Sequence, residues 1–406
     1  MPRYNGGFIG HDGLDAPDAP TIDSVTAGNA QVSVAFTAGT AGTTATTGFV
    51  AQVSTDGTAY SAGSGTGSSS PITVSSLTNG TSYTAKVWAV NAHGTSVPSS
   101  ASSSVSPVLP RGLIFGGKTG STFLNNVDAI TIGTSGNATD FGDLQTAVAV
   151  RSSGASGTRG LKFGGRHTSG GGSGKTTDEI DYFTISSSGN ATDFGNLVEA
   201  ISQNSGLSNS LRALSIMGTN DSGGRNTIEY VTIATTGNSS DFGDANVSGL
   251  DGGACASSTR GVYWAGEENN NNTIEYVTIA STGNATDFGN ATQERGHTCC
   301  SSSDTRGLAF AGEGSSSNNS IEYITIASTG NATDFGDPDT NRDFGGSFSS
   351  KDNYAYLCGG NNTSSGANLN EIEYVTIAST GNGTDFGDLT AAKEKTAGCS
   401  NVHGGL

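Results

Sequence analysis

The triplet Asp-Phe-Gly occurs six times, with its aspartate at Asp140, Asp193, Asp241, Asp287, Asp334 and Asp385. Where this triplet serves phosphoryl transfer, one aspartate holds the metal of one active site. Six copies spaced 53, 48, 46, 47 and 51 residues apart do not describe one reaction centre. The other chemistry-bearing residues share no such order. His11, His93, His167, His297 and His403 occupy no common repeat position, and no nucleophile–base pair or paired carboxylates stand out. The sequence therefore reads as non-enzymatic, with no catalytic residue, no metal and no cofactor assigned.

Three local motifs give the same answer. "SGGGSGKT", Ser169 to Thr176, resembles a phosphate-binding loop. However, Ser169 replaces its first glycine, and a strand follows where a helix N-terminus is required. "HTCC", His297 to Cys300, offers metal-ligand types beside a strand that would point successive side chains apart. Cys255 and Cys399 fall at matching places in other units, so these are read as small buried packing residues. "STDGTAY", Ser54 to Tyr60, loosely resembles a sialidase Asp-box but reads better as a hairpin turn at Asp56-Gly57. Six Asn-x-Ser/Thr sites at Asn137, Asn190, Asn238, Asn284, Asn331 and Asn382 are explained by turn chemistry.

The elements that carry these residues are short. Of the 406 residues, 33% are apolar, 13% are charged and 62 are glycine. Apolar runs rich in Ile, Val, Tyr and Phe, bounded by Gly, Asn and Ser, predict an all-β chain. Ahead of each Asp-Phe-Gly lies a strand such as "VDAITI" or "IEYVTI", and upstream of that another such as "GLIFGG" or "GLAFAG". Arg111, Arg159, Arg212, Arg260 and Arg306 directly precede five of the upstream strands. Asp128, Asp181, Glu229, Glu275, Glu322 and Glu373 recur in the later ones, which suggests acid–arginine pairs between strands or units. With a first strand like "SSGASGT", each unit has four strands, a propeller-blade pattern. The first unit lacks its first strand, while the chain ends "TAGCSNVHGGL", a first strand with no unit after it. The C-terminal strand is therefore expected to complete the first unit and close a six-bladed ring.

The Arg, the apolar strand ending in Gly-Gly, the acid-x-aromatic strand and the aromatic anchor together resemble the Kelch family over residues 111 to 406. Phe141, Phe194, Phe242, Phe288, Phe335 and Phe386 stand where Kelch blades usually carry Trp. Residues 16 to 108 read differently, as alternating strands with turns about every 8 to 12 residues, which argues a β-sandwich. "SLTNGTSYTAKVWAVNAHGTSVPS" is similar to the fibronectin type III fold, with Tyr83 at the tyrosine-corner position and Phe36 where many members have Trp. The expected architecture is thus all-β: a tail over 1–15, a fibronectin type III-like β-sandwich over 16–108, and a six-bladed Kelch-like β-propeller over 109–406. "SSSVSPVLP" is read as a stiff linker between the two domains.

The net charge of −18 argues against nucleic acid as a partner. No run approaches a membrane span, and "MPRYNGGFIG" has no signal-peptide core. Five cysteines do not make a disulfide framework, so the chain is expected to be made in a host cytoplasm. Loops after the second and fourth strands vary, and loops on a rigid scaffold are where binding resides. The candidate adhesion face comprises Lys118, Phe123, Arg166, His167, Asn220, Asp221, Arg225, Glu267, Glu268, Glu313, Asn361 and Asn362. The short turns, the sandwich and the tail are placed on the opposite side, with Arg3, Tyr4, Asn5, Phe8 and Ile9 as the anchoring residues. The whole layout resembles virion appendage or decoration proteins of tailed phages, especially marine ones. That resemblance implies a structural protein, a tail fibre or capsid decoration, located in the virion. It implies binding to other virion proteins through the N-terminal region and to a host-surface glycan or protein through the loops. A homo-oligomer is compatible with it. The alternative is a secreted bacterial glycan-binding or glycan-active propeller with an accessory fibronectin type III domain.

Overall fold

Short apolar runs between Gly-, Asn- and Ser-rich turns pair here as antiparallel strands, and every regular element of the described chain is a strand. The computed structural model describes residues 16–149, 152–168, 174–266, 272–312, 319–350 and 353–402. The anchoring residues Arg3, Tyr4, Asn5, Phe8 and Ile9 lie outside them. The chain divides into two compact units, Met1–Leu109 and Pro110–Leu406.

In the first unit, β1 (Thr21–Gly28), β2 (Gln31–Thr37) and β5 (Ile72–Val74) form one sheet in the order β1-β2-β5. The strands β3 (Gly48–Ser54), β4 (Gly63–Gly67), β6 (Thr84–Asn91) and β7 (Gly94–Thr95) form another, in the order β4-β3-β6-β7. Alternate residues of both sheets, among them Val32, Val34, Phe36, Phe49, Ala51, Val74 and Val87, share one core. This is the two-residue period of strands covered on one face. Buried Tyr83 accepts a hydrogen bond from the Thr78 amide, 3.2 Å, through its phenol oxygen. The supposed linker is part of this unit. Val105 exchanges backbone hydrogen bonds of 2.8 Å with Tyr83, and the Val108 amide donates to Gly28. The cause is apolar: Val105 packs on the core.

The second unit contains six antiparallel sheets with a shared four-strand path. Sheets 2 to 5 begin at Ser153–Ala155, Ser205–Ser208, Gly253–Ala256 and Cys299–Ser302, and sheet 6 at Gly346–Ser349. Sheet 1 runs through Arg111–Phe115, Asn126–Thr131 and Thr139–Asp143, and its first strand is Ala397–Ser400 from the far end of the chain. There Ala397 faces Phe115 and Ser400 faces Gly112. The second strands are buried along almost their whole length, because both faces of each sheet are covered. Six apolar clusters lie between successive sheets. One cluster joins Phe288 and Trp264 of sheet 4 to Ala309 and Ile324 of sheet 5. Another joins Tyr356 and Phe386 of sheet 6 to Ile114 and Ile130 of sheet 1, so the order of contacts returns to its start.

The repeated triplet is a bulge and a clip. Glu229 pairs with Asp241 and Ile228 with Gly243, which leaves Phe242 as the extra residue of its strand. Phe242 is thereby aimed into the core between sheets 3 and 4. Gly243 has φ +146°, and a Cβ there would lie 2.5 Å from the Gly283 carbonyl oxygen of the next sheet. The Gly283 amide donates to Phe242 at 2.7 Å, and the Asn284 side-chain oxygen accepts from the Asp244 amide at 3.1 Å. Asn137, Asn190, Asn238, Asn331 and Asn382 make the matching bond at their own junctions. These asparagines join neighbouring sheets, a longer-range role than the local turn expected of them.

The expected acid–arginine pairs do not form. Arg212 lies opposite Thr232, whereas Glu229 lies opposite Ser215, three residues further along, which is roughly 10 Å in a strand. Each arginine instead reaches the following sheet. Arg212 donates to the Ile279 carbonyl at 3.0 Å, with its guanidinium 4.7 Å from the Tyr230 ring centre. Arg111, Arg159, Arg260 and Arg306 donate likewise to Ile185, Ile233, Ile326 and Ile377. The acids reach back. Glu229, Glu275, Glu322 and Glu373 accept backbone amides of Val198, Asn246, Thr292 and Asp339 in the preceding sheet, at 2.7–3.2 Å.

Candidate functional site

Two residues before a first strand, five of the sheets carry, among the described residues, a non-glycine residue in the left-handed region: Gln203 (φ 59°), Asp251 (55°), His297 (56°), Phe344 (55°) and Lys395 (56°). Such a conformation costs about 1–3 kcal/mol and persists where its surroundings fix it. Here it is fixed by neighbours in sequence of sheets. The Asp251 amide donates to Gln203, Phe344 to His297 and Lys395 to Phe344, at 2.8–3.2 Å. The side chains continue the row. Gln203 donates to the Asp251 carboxylate, and His297 Nε2 lies 3.5 Å from the same group. The His297 ring stacks on Phe344 with centres 3.7 Å apart, its Nδ1 lies 3.8 Å from Asp343, and Lys395 Nζ lies 4.1 Å from the Phe344 ring centre.

Below this row the first strands approach one another through small residues. Ser153, Ser205, Gly206, Gly253, Cys300, Gly346 and Gly398 border two narrow cavities of about 40 Å³ each. Serines tie these strands together: Ser153 Oγ donates to Gly398, Ser347 to Cys300 and Ser400 to Ser349, at 2.6–2.7 Å. A cavity this size accommodates water-sized guests. Cys255, Cys358 and Cys399 are buried, and burial pushes their thiols up, Cys255 to about 12. His297 of the "HTCC" stretch points to the row above, whereas Cys300 is buried among apolar side chains.

The buried ionisable groups outside this row serve the framework. Lys393 lies 3.1 Å from Asp128, Lys162 3.5 Å from Asp181, Arg295 3.2 Å from Glu322 and Arg342 3.4 Å from Glu373. Burial raises the Glu373 carboxyl to about 7, against the opposing pull of Arg342 and the Asp339 amide. Burial likewise raises Asp181 and Glu229, and lowers Lys393. Trp264 is buried and donates to Glu322 at 2.7 Å, so its ring is committed to the interior.

A larger cavity of about 250 Å³ opens where the row ends, lined by Lys118, Phe123, Ala149, Arg166, Ser202, Gln203 and Lys395. Phe123 stands on a two-residue strand, Thr122–Phe123, hairpinned onto Lys118–Thr119. Arg166 belongs to Arg166–His167, which pairs with Thr176 and Lys175. Lys118 also lies 3.0 Å from Glu394. Three of the residues expected on an adhesion face, Lys118, Phe123 and Arg166, thus meet in one place.

The other expected residues are dispersed. His167 lies beside Arg166 and does not line the cavity. The sheet 3 loop is a tight hairpin between Arg212–Asn220 and Gly223–Thr232, with Asp221 at its tip. Its Arg225 grips Glu199 at 3.0 and 3.2 Å, and Asn220 donates to the same carboxylate. Asn361 and Asn362 stabilise their own turn through Gly366, Ser364 and Ser365. Glu267, Glu268 and Glu313 lie outside the described residues. The sequence reading missed Ser202, Gln203 and Lys395. The one signal for the left-handed places was their fixed distance ahead of the first strand, since Gln, Asp, His, Phe and Lys share no chemistry. No protein-family model matches the chain, and no curated protein matches it.

Proposed function

We propose that the first unit is a fibronectin type III-like β-sandwich and the second a six-bladed Kelch-like β-propeller closed by its C-terminal strand. The Tyr83–Thr78 bond and the two sheet orders support the former. The pairing of Ala397–Ser400 with Arg111–Phe115 supports the latter. On this reading the chain is a non-enzymatic structural protein of a tailed-phage virion, a tail-fibre-like or capsid-decoration component. It attaches through its N-terminal region and presents the propeller loops to a host-surface glycan or protein.

The convergence of Lys118, Phe123 and Arg166 on one cavity carries the adhesive part of the proposal. The buried acids and the arginines before the second strands are bound into the framework, whereas these side chains stand on short hairpins at its rim. Many copies on one particle would multiply weak single contacts. Immunogold electron microscopy of purified particles, with antibody raised to residues 112–406, tests the reading. Gold on the tail supports host recognition, and gold over the head supports capsid decoration. Unlabelled intact particles, with an antibody that binds the purified chain, would remove the virion assignment.

A further inference from the structure

Three cations line the 250 Å³ cavity of a chain whose net charge is −18. We propose that this cavity binds one acidic sugar residue, a uronate or a sulfated hexose, of a surface polysaccharide. The inference rests on the adhesive reading above and deepens it by naming the ligand class.

The parts fit a small, flat, negatively charged polyol. Drug-sized ligands occupy pockets of roughly 300–1,000 Å³, so a cavity of about 250 Å³ suits a single ring with its chain neighbours outside. Phe123 supplies an apolar face of the kind that packs against sugar C–H groups. Arg166 brings a planar donor fork, suited to two oxygens of a carboxylate or sulfate. Among the described residues no carboxylate lies within ion-pair distance of its guanidinium. Lys395 and Lys118 add point charges at the rim, the first above Phe344 and the second beside Glu394. Ser202 and Gln203 form the remaining wall; the Gln203 amide nitrogen is committed to Asp251, which leaves its amide oxygen as an acceptor for a ring hydroxyl.

Several alternatives fit less well. A neutral sugar would leave the Arg166 fork without an oxyanion. Nucleic acid would meet a strongly acidic molecule around three clustered cations. The two narrow central cavities, about 40 Å³ each, are too small for a sugar.

The test is isothermal titration calorimetry of the full chain with four probes: a galacturonate trimer, a sulfated galactose oligomer, maltotriose and inorganic phosphate. Binding of either acidic oligomer, with maltotriose at least tenfold weaker, is expected, and the better of the two identifies the anion. Arg166→Ala should weaken that binding about tenfold, as loss of one charged hydrogen-bonding group implies. Phe123→Ala should weaken it measurably while leaving the melting temperature in place. Lys86→Ala, in the first unit, should change nothing. Equal binding of maltotriose overturns the proposal, as does phosphate binding as tight as either oligomer. Acidic-sugar binding unchanged in both cavity variants also overturns it. Failure here with labelled particles leaves the virion reading standing. Success with unlabelled particles removes that reading and keeps the site.

Discussion

Gly243 and Gly283 face each other across one junction between sheets, and alanine at each separates two causes of strain. Both have left-handed φ, +146° and +157°, so alanine at either position meets a similar conformational penalty, about 1–3 kcal/mol. Only at Gly243 does the added Cβ collide with anything: the Gly283 carbonyl carbon and oxygen, each at 2.5 Å. The space around Gly283 is open to 4 Å. Since the obstacle is backbone, the sheets must part, which loosens the Gly283–Phe242 and Asp244–Asn284 hydrogen bonds. Each of these contributes about 1 kcal/mol. We therefore expect Gly243→Ala to destabilise the second unit by about 3–5 kcal/mol and Gly283→Ala by about 1–3 kcal/mol. Scanning calorimetry of the full chain should place the second-unit transition of Gly243→Ala about 4–8 °C below that of Gly283→Ala, at about 2–4 °C per kcal/mol. Equal melting temperatures for the two variants would refute the clip. A Gly243→Ala loss under about 1 kcal/mol would refute the strain argument as well.

Arg212→Ala should cost about 1–3 kcal/mol by urea denaturation, through its carbonyl bond and its place over Tyr230. Arg212→Lys should recover less than half of that, because an ammonium cannot lie flat on the ring and donate sideways together. Glu373 is held protonated in the folded state up to about pH 7, whereas its ordinary value is 4.5. Its contribution to stability is thus present at low pH and falls as pH rises from 4.5 through 7. Glu373→Gln should gain about 2–3 kcal/mol relative to the parent between pH 5 and pH 8, measured by denaturation at each pH. Of the five thiols, half-buried Cys299 should react first with Ellman's reagent at pH 8 in the native protein. Cys255, Cys358 and Cys399 should react only after unfolding, because burial opposes their thiolates.

Strand positions were readable because the apolar runs and the glycines repeat together. The bulge was not, because Asp-Phe-Gly carries its meaning in register: Phe242 is extra only relative to the partner strand. Arg212 and Glu229 were misjudged for the same reason, since co-occurrence in a repeat says nothing about distance along a strand. Val105 escaped notice within a Ser-rich stretch whose composition hid one core residue. At the candidate site, Lys118, Phe123 and Arg166 could be found because variable polar loops mark binding faces. Gln203 and Lys395 could not, because left-handed backbone at Gln or Lys has no composition signal comparable to glycine.

The strand Ala397–Ser400 has a consequence for synthesis. Arg111 donates its backbone amide to the Asn401 side chain across 290 residues of chain, and the strand before Asn401 is the partner that sheet 1 requires. On a translating ribosome, sheets 2 to 6 can assemble from local hairpins as they emerge, whereas sheet 1 waits with one edge unpaired. Contacts so distant in sequence form slowly, and an exposed edge invites pairing with another nascent chain. Nascent chains stalled short of Ala397 should therefore capture a synthetic peptide of residues 393–402, whereas the finished protein should ignore it.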